Sequence, residues 1–267
     1  MRRSLPAFAS LLLALPSAAL AGEDLLTLCR ARVAQIDPFQ VAIHQVTTSG
    51  GETAVFDGRM VCGTFPRMRL ELAGRLGDST CRALDVCDGQ VLWSIRELIH
   101  AGGSAEPERT ITRRDVEQVW RAERRSESAL GLNAGLAAGG LSGLIAGLGM
   151  TFDLEEVRTD DGTRVLAGPI RPSADNEPGL KHAKTADRLP RSVRIAIDGR
   201  SLMPLRVTYY RPDGTPLSDI TLSGYQLIQD SSPERFQYVP PRGAEIDDRT
   251  DELVRRGDAS GSAAAVR

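Results

Sequence analysis

Three histidines and four cysteines are the side chains of this chain best suited to chemistry, and their spacing argues against a catalytic centre. His44, His100 and His182 are scattered over a strand, the edge of a loop and a polar insertion, none beside a serine, a cysteine or paired carboxylates. A Gly-x-Ser-x-Gly elbow is absent; Gly140-Leu141-Ser142-Gly143 comes nearest but lacks the strand that must precede a nucleophile elbow. Asp247 and Asp248 form an acidic pair suited to a cation, although capping a turn is the commoner role of such a pair. The cysteine spacing fits no zinc pattern. A reaction needs a positioned acid, base or nucleophile, and none can be assembled here. The expectation is a protein that is not an enzyme and uses neither metal nor cofactor.

The cysteines point instead to a compartment. Met1-Arg2-Arg3, the apolar stretch from Leu5 to Leu20 and the small-residue pattern Ala19-Leu20-Ala21 read as a secretory signal over residues 1–21. No cysteine follows the cleavage point, so a lipid-modified N-terminus is not expected and the mature chain is expected in the periplasm or its equivalent. In that setting the even set Cys29, Cys62, Cys81 and Cys87 suggests disulfides. Cys81 and Cys87 stand about 20 Å apart along one strand, too far to bond each other. A cross-strand bond from Cys62 to Cys81 or Cys87, with Cys29 taking the remaining thiol, is one expectation; four buried thiols is the other. A formal charge of −2, with abundant arginine and almost no lysine, gives no footprint for nucleic acid.

The elements that would position any site are mostly strands. Five Asp-Gly pairs, at 57–58, 88–89, 161–162, 198–199 and 213–214, each lie between alternating runs, and Asp-Gly supplies the positive φ angles of tight hairpins. Strands are predicted over 41–43, 52–57, 59–65, 67–73, 80–87, 90–97, 151–158, 163–170, 192–198, 203–210, 217–228 and 235–239, after a short helix over Leu25–Val33. In the run 67–72, Met68, Leu70 and Leu72 share one face and Arg67, Arg69 and Glu71 the other; further on, Val91, Trp93 and Ile95 share a face. About 246 residues remain after the signal, which suits one large sandwich-like or barrel-like domain.

Between the two β blocks the period changes. Thr112 and Asp115 signal a helix from about 113 to 126, with Val116, Val119 and Trp120 in one stripe. Residues 129–150 then carry seven glycines, with Gly131, Gly135, Gly139, Gly143 and Gly147 every fourth residue beside Leu132, Leu136, Leu144 and Leu148. Glycine costs about 1 kcal/mol of helix stability relative to alanine, so this helix must be held by packing. A sheet of about ten strands curls, and the middle helices are its natural cover, leaving a hydrophobic hollow that either takes an apolar ligand or is filled by side chains. The fold class is therefore mainly β (α+β), with a polar loop over about 171–190 and a short helix and disordered tail over 249–267.

The order of these parts, with "FPRMRLEL", "DGQVLWSI", "VRIAIDGRSLMPLRVTYYRPDG" and "FQYVPPRGAEIDD", resembles the periplasmic lipoprotein carrier superfamily, the LolA/LolB-like and outer-membrane lipoprotein-sorting proteins. The resemblance spans nearly the whole mature chain, roughly 24–248. It implies an unclosed, curved antiparallel β-barrel of ten to eleven strands, a helical lid at about 112–150, and a cavity for the acyl chains of lipid or lipoprotein. It also implies transient contact with membrane-bound donor or acceptor proteins. On this resemblance the cavity would be lined by Phe56, Met68, Leu70, Trp93 and Ile95 on the sheet and by Trp120, Leu136, Leu144 and Leu148 on the lid. Arg67 or Arg69 would correspond to the arginine with which the family carrier holds its lid. The four cysteines, the glycine-striped helix and the insertion at 171–190 depart from the carrier pattern. A non-enzymatic interaction or structural module with a filled cavity is the alternative.

Overall fold

The computed structural model describes residues 22–36, 38–49, 51–100, 106–118, 132–157, 162–171, 190–229 and 232–250. Helix α1 (Gly22–Gln35) is followed by β1 (Phe39–Ser49), β2 (Glu52–Cys62), β3 (Met68–Leu76), β4 (Ser79–Cys87), β5 (Val91–Ile99) and β6 (Glu108–Asp115). Helix α2 (Leu132–Thr151) leads to β7 (Glu155–Val157), β8 (Thr163–Pro169), β9 (Ser192–Asp198), β10 (Pro204–Tyr210), β11 (Pro216–Leu227) and β12 (Asp247–Asp248).

All twelve strands form one sheet in the order β12-β6-β5-β4-β3-β2-β1-β11-β10-β9-β8-β7. Two antiparallel meanders, β1–β6 and β7–β11, are joined along β1 and β11, and only the two-residue β12 runs parallel to its neighbour. The end strands do not meet, so the barrel stays open, in agreement with the expected unclosed half-barrel.

Three of the five Asp-Gly pairs mark turns, and Asp161 of a fourth lies outside the described residues. Asp88 Oδ1 accepts the Gln90 and Val91 amides at 2.8 Å, Asp198 Oδ1 accepts the Ser201 amide at 2.6 Å, and Asp213 Oδ1 accepts the Thr215 amide at 2.9 Å. Gly162 leads into β8 at φ 79°. Asp57-Gly58 is the exception: it sits inside β2, paired with β1 on one side and β3 on the other, so the two short strands predicted at 52–57 and 59–65 are one. Glycine is needed at 58 because a Cβ there would lie 1.9 Å from the Glu71 carbonyl oxygen across the ladder.

Three further expectations are corrected. Residues 113–115 are the end of β6, paired with Val91–Trp93, and helix begins only at Val116, where Asp115 Oδ1 caps the Gln118 amide at 2.9 Å. The remainder of the predicted helix, Val119 and Trp120 included, lies outside the described residues, as do the predicted signal at 1–21, residues 172–189 and the residues after 250. Thr151 ends α2 rather than opening a strand. The segment 235–239 is no strand: Pro233–Phe236 is a 3-10 turn that drives the Phe236 ring against Gly63, where a Cβ would meet it at 2.6 Å.

The core lies between the sheet and the two helices. Leu25, Leu26, Cys29 and Val33 of α1 and Leu141, Leu144, Ile145 and Leu148 of α2 are buried against Val41, Ile43, Met60, Met68, Ile195, Val207, Tyr209 and Leu222. Helix α2 breaks at Gly139-Gly140; Gly140, at φ 57° and ψ −145°, lies so close to the sheet that a Cβ would meet Cys62 Sγ at 3.1 Å and Met68 Cβ at 3.3 Å. Gly140 thus lets helix backbone rest on the sheet at the break, while Gly147 of the predicted stripe has open space beside it. No helix among the described residues is long and apolar enough to cross a membrane.

Candidate functional site

Register fixes which side chains share the helix-covered, concave face. Cys62 pairs with Met68, Met68 with Cys87, and Cys87 with Leu92, so these four point toward α2. The same rows bring Phe56, Leu70, Leu72, Cys81, Ala83, Asp85, Ser94, Arg96, Leu98, Thr110 and Arg114 onto that face. Beyond the packed core, β2 to β6 leave a cavity of about 350 Å³ lined by Phe56, Leu70, Leu72, Cys81, Ala83 and Leu98, with Gln45, Asp85, Arg96, Glu108 and Thr110 among its polar groups. Gly74 lets the Phe56 ring lie across β3, since a Cβ there would meet the ring at 2.6 Å.

The cavity has a charged floor that hydrophobic patterning did not reveal. Asp85, 3% exposed, occupies an apolar phase between Ala83 and Cys87. Its Oδ2 accepts from Arg96 Nη2 at 2.9 Å, while its buried Oδ1 has no hydrogen-bond partner among the described residues. Arg96 is half exposed and also donates through Nη1 to the Ile95 carbonyl at 3.0 Å. Beside them, burial lowers the Arg114 guanidinium from its ordinary value, partly offset by the Asp85 charge; Arg114 reaches Ser94 Oγ at 3.5 Å. At the rim His100 Nε2 and Glu108 Oε1 lie 3.2 Å apart.

The residues inferred from the family resemblance divide. Phe56 and Leu70 line this cavity. Met68, Leu144 and Leu148 are packed into the core, so the hollow is filled where they sit. Leu136 lies on the first half of α2, where side chains are not described. Trp93 and Ile95 face the other way: Trp93 pairs with Val86 and Arg113 on the convex side, and its ring packs on Tyr238 with centroids 5.6 Å apart. Neither expected lid arginine reaches a helix in its described bonds. Arg67 Nε donates to the Asp88 carbonyl at 3.2 Å, and Arg69, on the convex face, pairs with Glu71 at 2.7 Å. Within β2 to β6 the arginines of the concave face are Arg96 and Arg114. On the convex side a groove of about 700 Å³ runs past Leu84, Ile95, Tyr238, Val239 and Pro241, flanked by the Arg59–Glu71 and Arg109–Glu97 pairs.

The expected disulfides are not formed: no disulfide joins any two of the four cysteines. Cys62 and Cys87 are separated by Met68 on the strand between them, about 10 Å at the usual strand spacing, beyond the reach of an S–S bond. Burial pushes the Cys29 thiol up to about 12 and Cys87 up to about 11. No group of three or more His, Cys, Asp or Glu among the described residues is arranged to hold a metal.

No family model matches the chain, and no curated protein matches it. Several solved structures are similar to it at low identity. An uncharacterized conserved protein from Thermus thermophilus is 12% identical with a TM-score of 0.44, over 85% of this chain and 98% of that one. MucB is 14% identical with a TM-score of 0.37, over 82% of this chain but 62% of its own. A LolA superfamily protein from Nitrosomonas europaea is 12% identical with a TM-score of 0.32, over 82% of this chain and 99% of that one.

Proposed function

We propose that this is an exported, non-enzymatic binding protein that holds an acyl chain of a lipid or lipoprotein on its concave face, and passes it between membrane-bound donor and acceptor proteins of the periplasm. The observation that carries this reading is the cavity between the packed core and the open edge of the sheet, whose walls Phe56, Leu70, Leu72, Ala83 and Leu98 present apolar surface that no side chain of the described residues fills. Each Å² of chain surface removed from water there contributes about 25 cal/mol. The open barrel lets a chain enter from the edge without unfolding the core.

A second reading, an interaction module whose partner docks on the convex face, is favoured by the larger groove there and by Val239, 85% exposed beside it. Titration with a fluorescent acyl-chain probe separates the two. Leu72→Trp fills the concave cavity and is expected to weaken probe binding at least tenfold, whereas Val239→Ser leaves it unchanged. No probe binding, or binding lost in Val239→Ser and kept in Leu72→Trp, overturns the carrier reading.

A further inference from the structure

The geometry points to a head-group subsite at Asp85, selective for a chain whose polar end carries an N–H donor, such as an amide or a primary ammonium. This rests on the concave cavity being the place where an apolar chain binds. Asp85 lines that cavity, is 3% exposed, and uses Oδ2 for Arg96 while the buried Oδ1 accepts nothing among the described residues, so a ligand reaches it by a small turn of the carboxylate toward the cavity. A buried acceptor without a donor is costly to keep, and native proteins retain few of them. Its placement at the polar end of an otherwise apolar wall gives it a use: a ligand N–H completes the carboxylate's set of donors while the chain runs along Leu70 and Leu72. Arg96, half exposed at the same end, has a guanidinium that can donate to a carbonyl oxygen beside that N–H, which suits an amide. A carboxylate head finds the opposite situation: it can reach Arg96, or Arg114 beside it, only by displacing Asp85 or by lying against a like charge, since both guanidiniums sit in the field of that carboxylate.

Three dodecyl ligands, titrated below their micelle concentrations into the full-length mature protein, separate the terms. Dodecylammonium has a charge and N–H donors, dodecyltrimethylammonium the charge without the donors, and dodecanoate the opposite charge. The expected order places dodecylammonium about tenfold or more tighter than either of the others, the size of one hydrogen bond to a charged group. Equal affinities, or dodecanoate binding best, overturn the subsite while leaving the acyl-chain reading intact. Binding of none of the three overturns both. The near-isosteric Asp85→Asn is expected to turn its carbonyl oxygen to Arg96 and its NH₂ to the ligand, narrowing the preference for dodecylammonium to within about twofold. A preference kept in full by that variant, with an unchanged melting temperature, also overturns the subsite. Because the wild-type ligand series decides by itself, the test does not depend on the variant folding.

Discussion

At the scale of single residues, the thiols show how burial replaces chemistry. Cys29 and Cys87 are wholly buried and their thiols are raised to about 12 and about 11, so at pH 8 the thiolate of Cys29 amounts to a fraction on the order of 10⁻⁴. Brief alkylation of native protein with iodoacetamide is therefore expected to label the half-buried Cys81 first and to leave Cys29 and Cys87 unmodified, with all four labelled in denaturant. A native mass two hydrogens below the reduced value per bond would show that disulfides form after all. Asp85 was visible in the sequence as an acid in the apolar phase of "CRALDVC", where alternation asks for a small or apolar residue. Trp93 and Ile95 were assigned to the wrong face for a physical reason. Alternation says which residues of one strand share a face, but relating that face to the next strand requires the turn's register, here Cys87 opposite Leu92 across Asp88–Gln90.

At the scale of elements, glycine has three different meanings in this chain, and substitution tells them apart. Gly147 is helical with nothing within 4 Å of an added Cβ, so Gly147→Ala is expected to stabilise the fold by up to about 1 kcal/mol through helix propensity. Gly140 holds a left-handed φ against Cys62 and Met68, so Gly140→Ala is expected to cost about 1–3 kcal/mol. Gly58→Ala must push β2 away from the Glu71 carbonyl and is expected to cost at least as much. Chemical denaturation of the three variants checks the order; equal effects at 140 and 147 would mean that α2 does not rest on the sheet as described. The Asp-Gly signals between alternating runs made the meander legible, whereas close packing of the glycine-rich helix falls at Gly140, beside the four-residue stripe, and Gly147 of the stripe has nothing within 4 Å of an added Cβ. The strand at 52–62 was misread because Asp-Gly signals a hairpin equally well whether its glycine serves a turn or a close crossing. The true turn uses Gly51, at φ 84°.

At the scale of the whole molecule, the curvature of the sheet was legible because about ten antiparallel strands cannot stay flat, and its open edge was implied by the family resemblance, but its partial filling was not legible, since sequence does not reveal how far α2 sinks toward Met60 and Met68. One global property follows from the charges the sheet gathers. For Glu71, burial raises the carboxyl but Arg69 and Arg59 outweigh it and hold it below its usual value; Arg164 does the same for Glu156, and Thr250 followed by Arg113 for Asp248. A carboxyl depressed in the folded state stabilises fully above its unfolded value of about 4 and loses that contribution as pH falls through the folded one. The buried groups act at the other end. Cys29 and Cys87, with Tyr209 and Tyr225, are raised by burial, so they favour the folded state below the unfolded thiol value of about 8.5 and lose that preference as pH rises toward about 12. The melting temperature is therefore expected to stay level from about pH 5 to 8 and to fall on both sides. Glu156→Gln is expected to shallow the acid limb, and Cys29→Ala to move the alkaline limb to higher pH while lowering the plateau through the small cavity it leaves. A melting temperature that stays level as pH rises from about 8 to 11 would show that those thiols reach water, and with it that the core between α1, α2 and the sheet is open rather than packed.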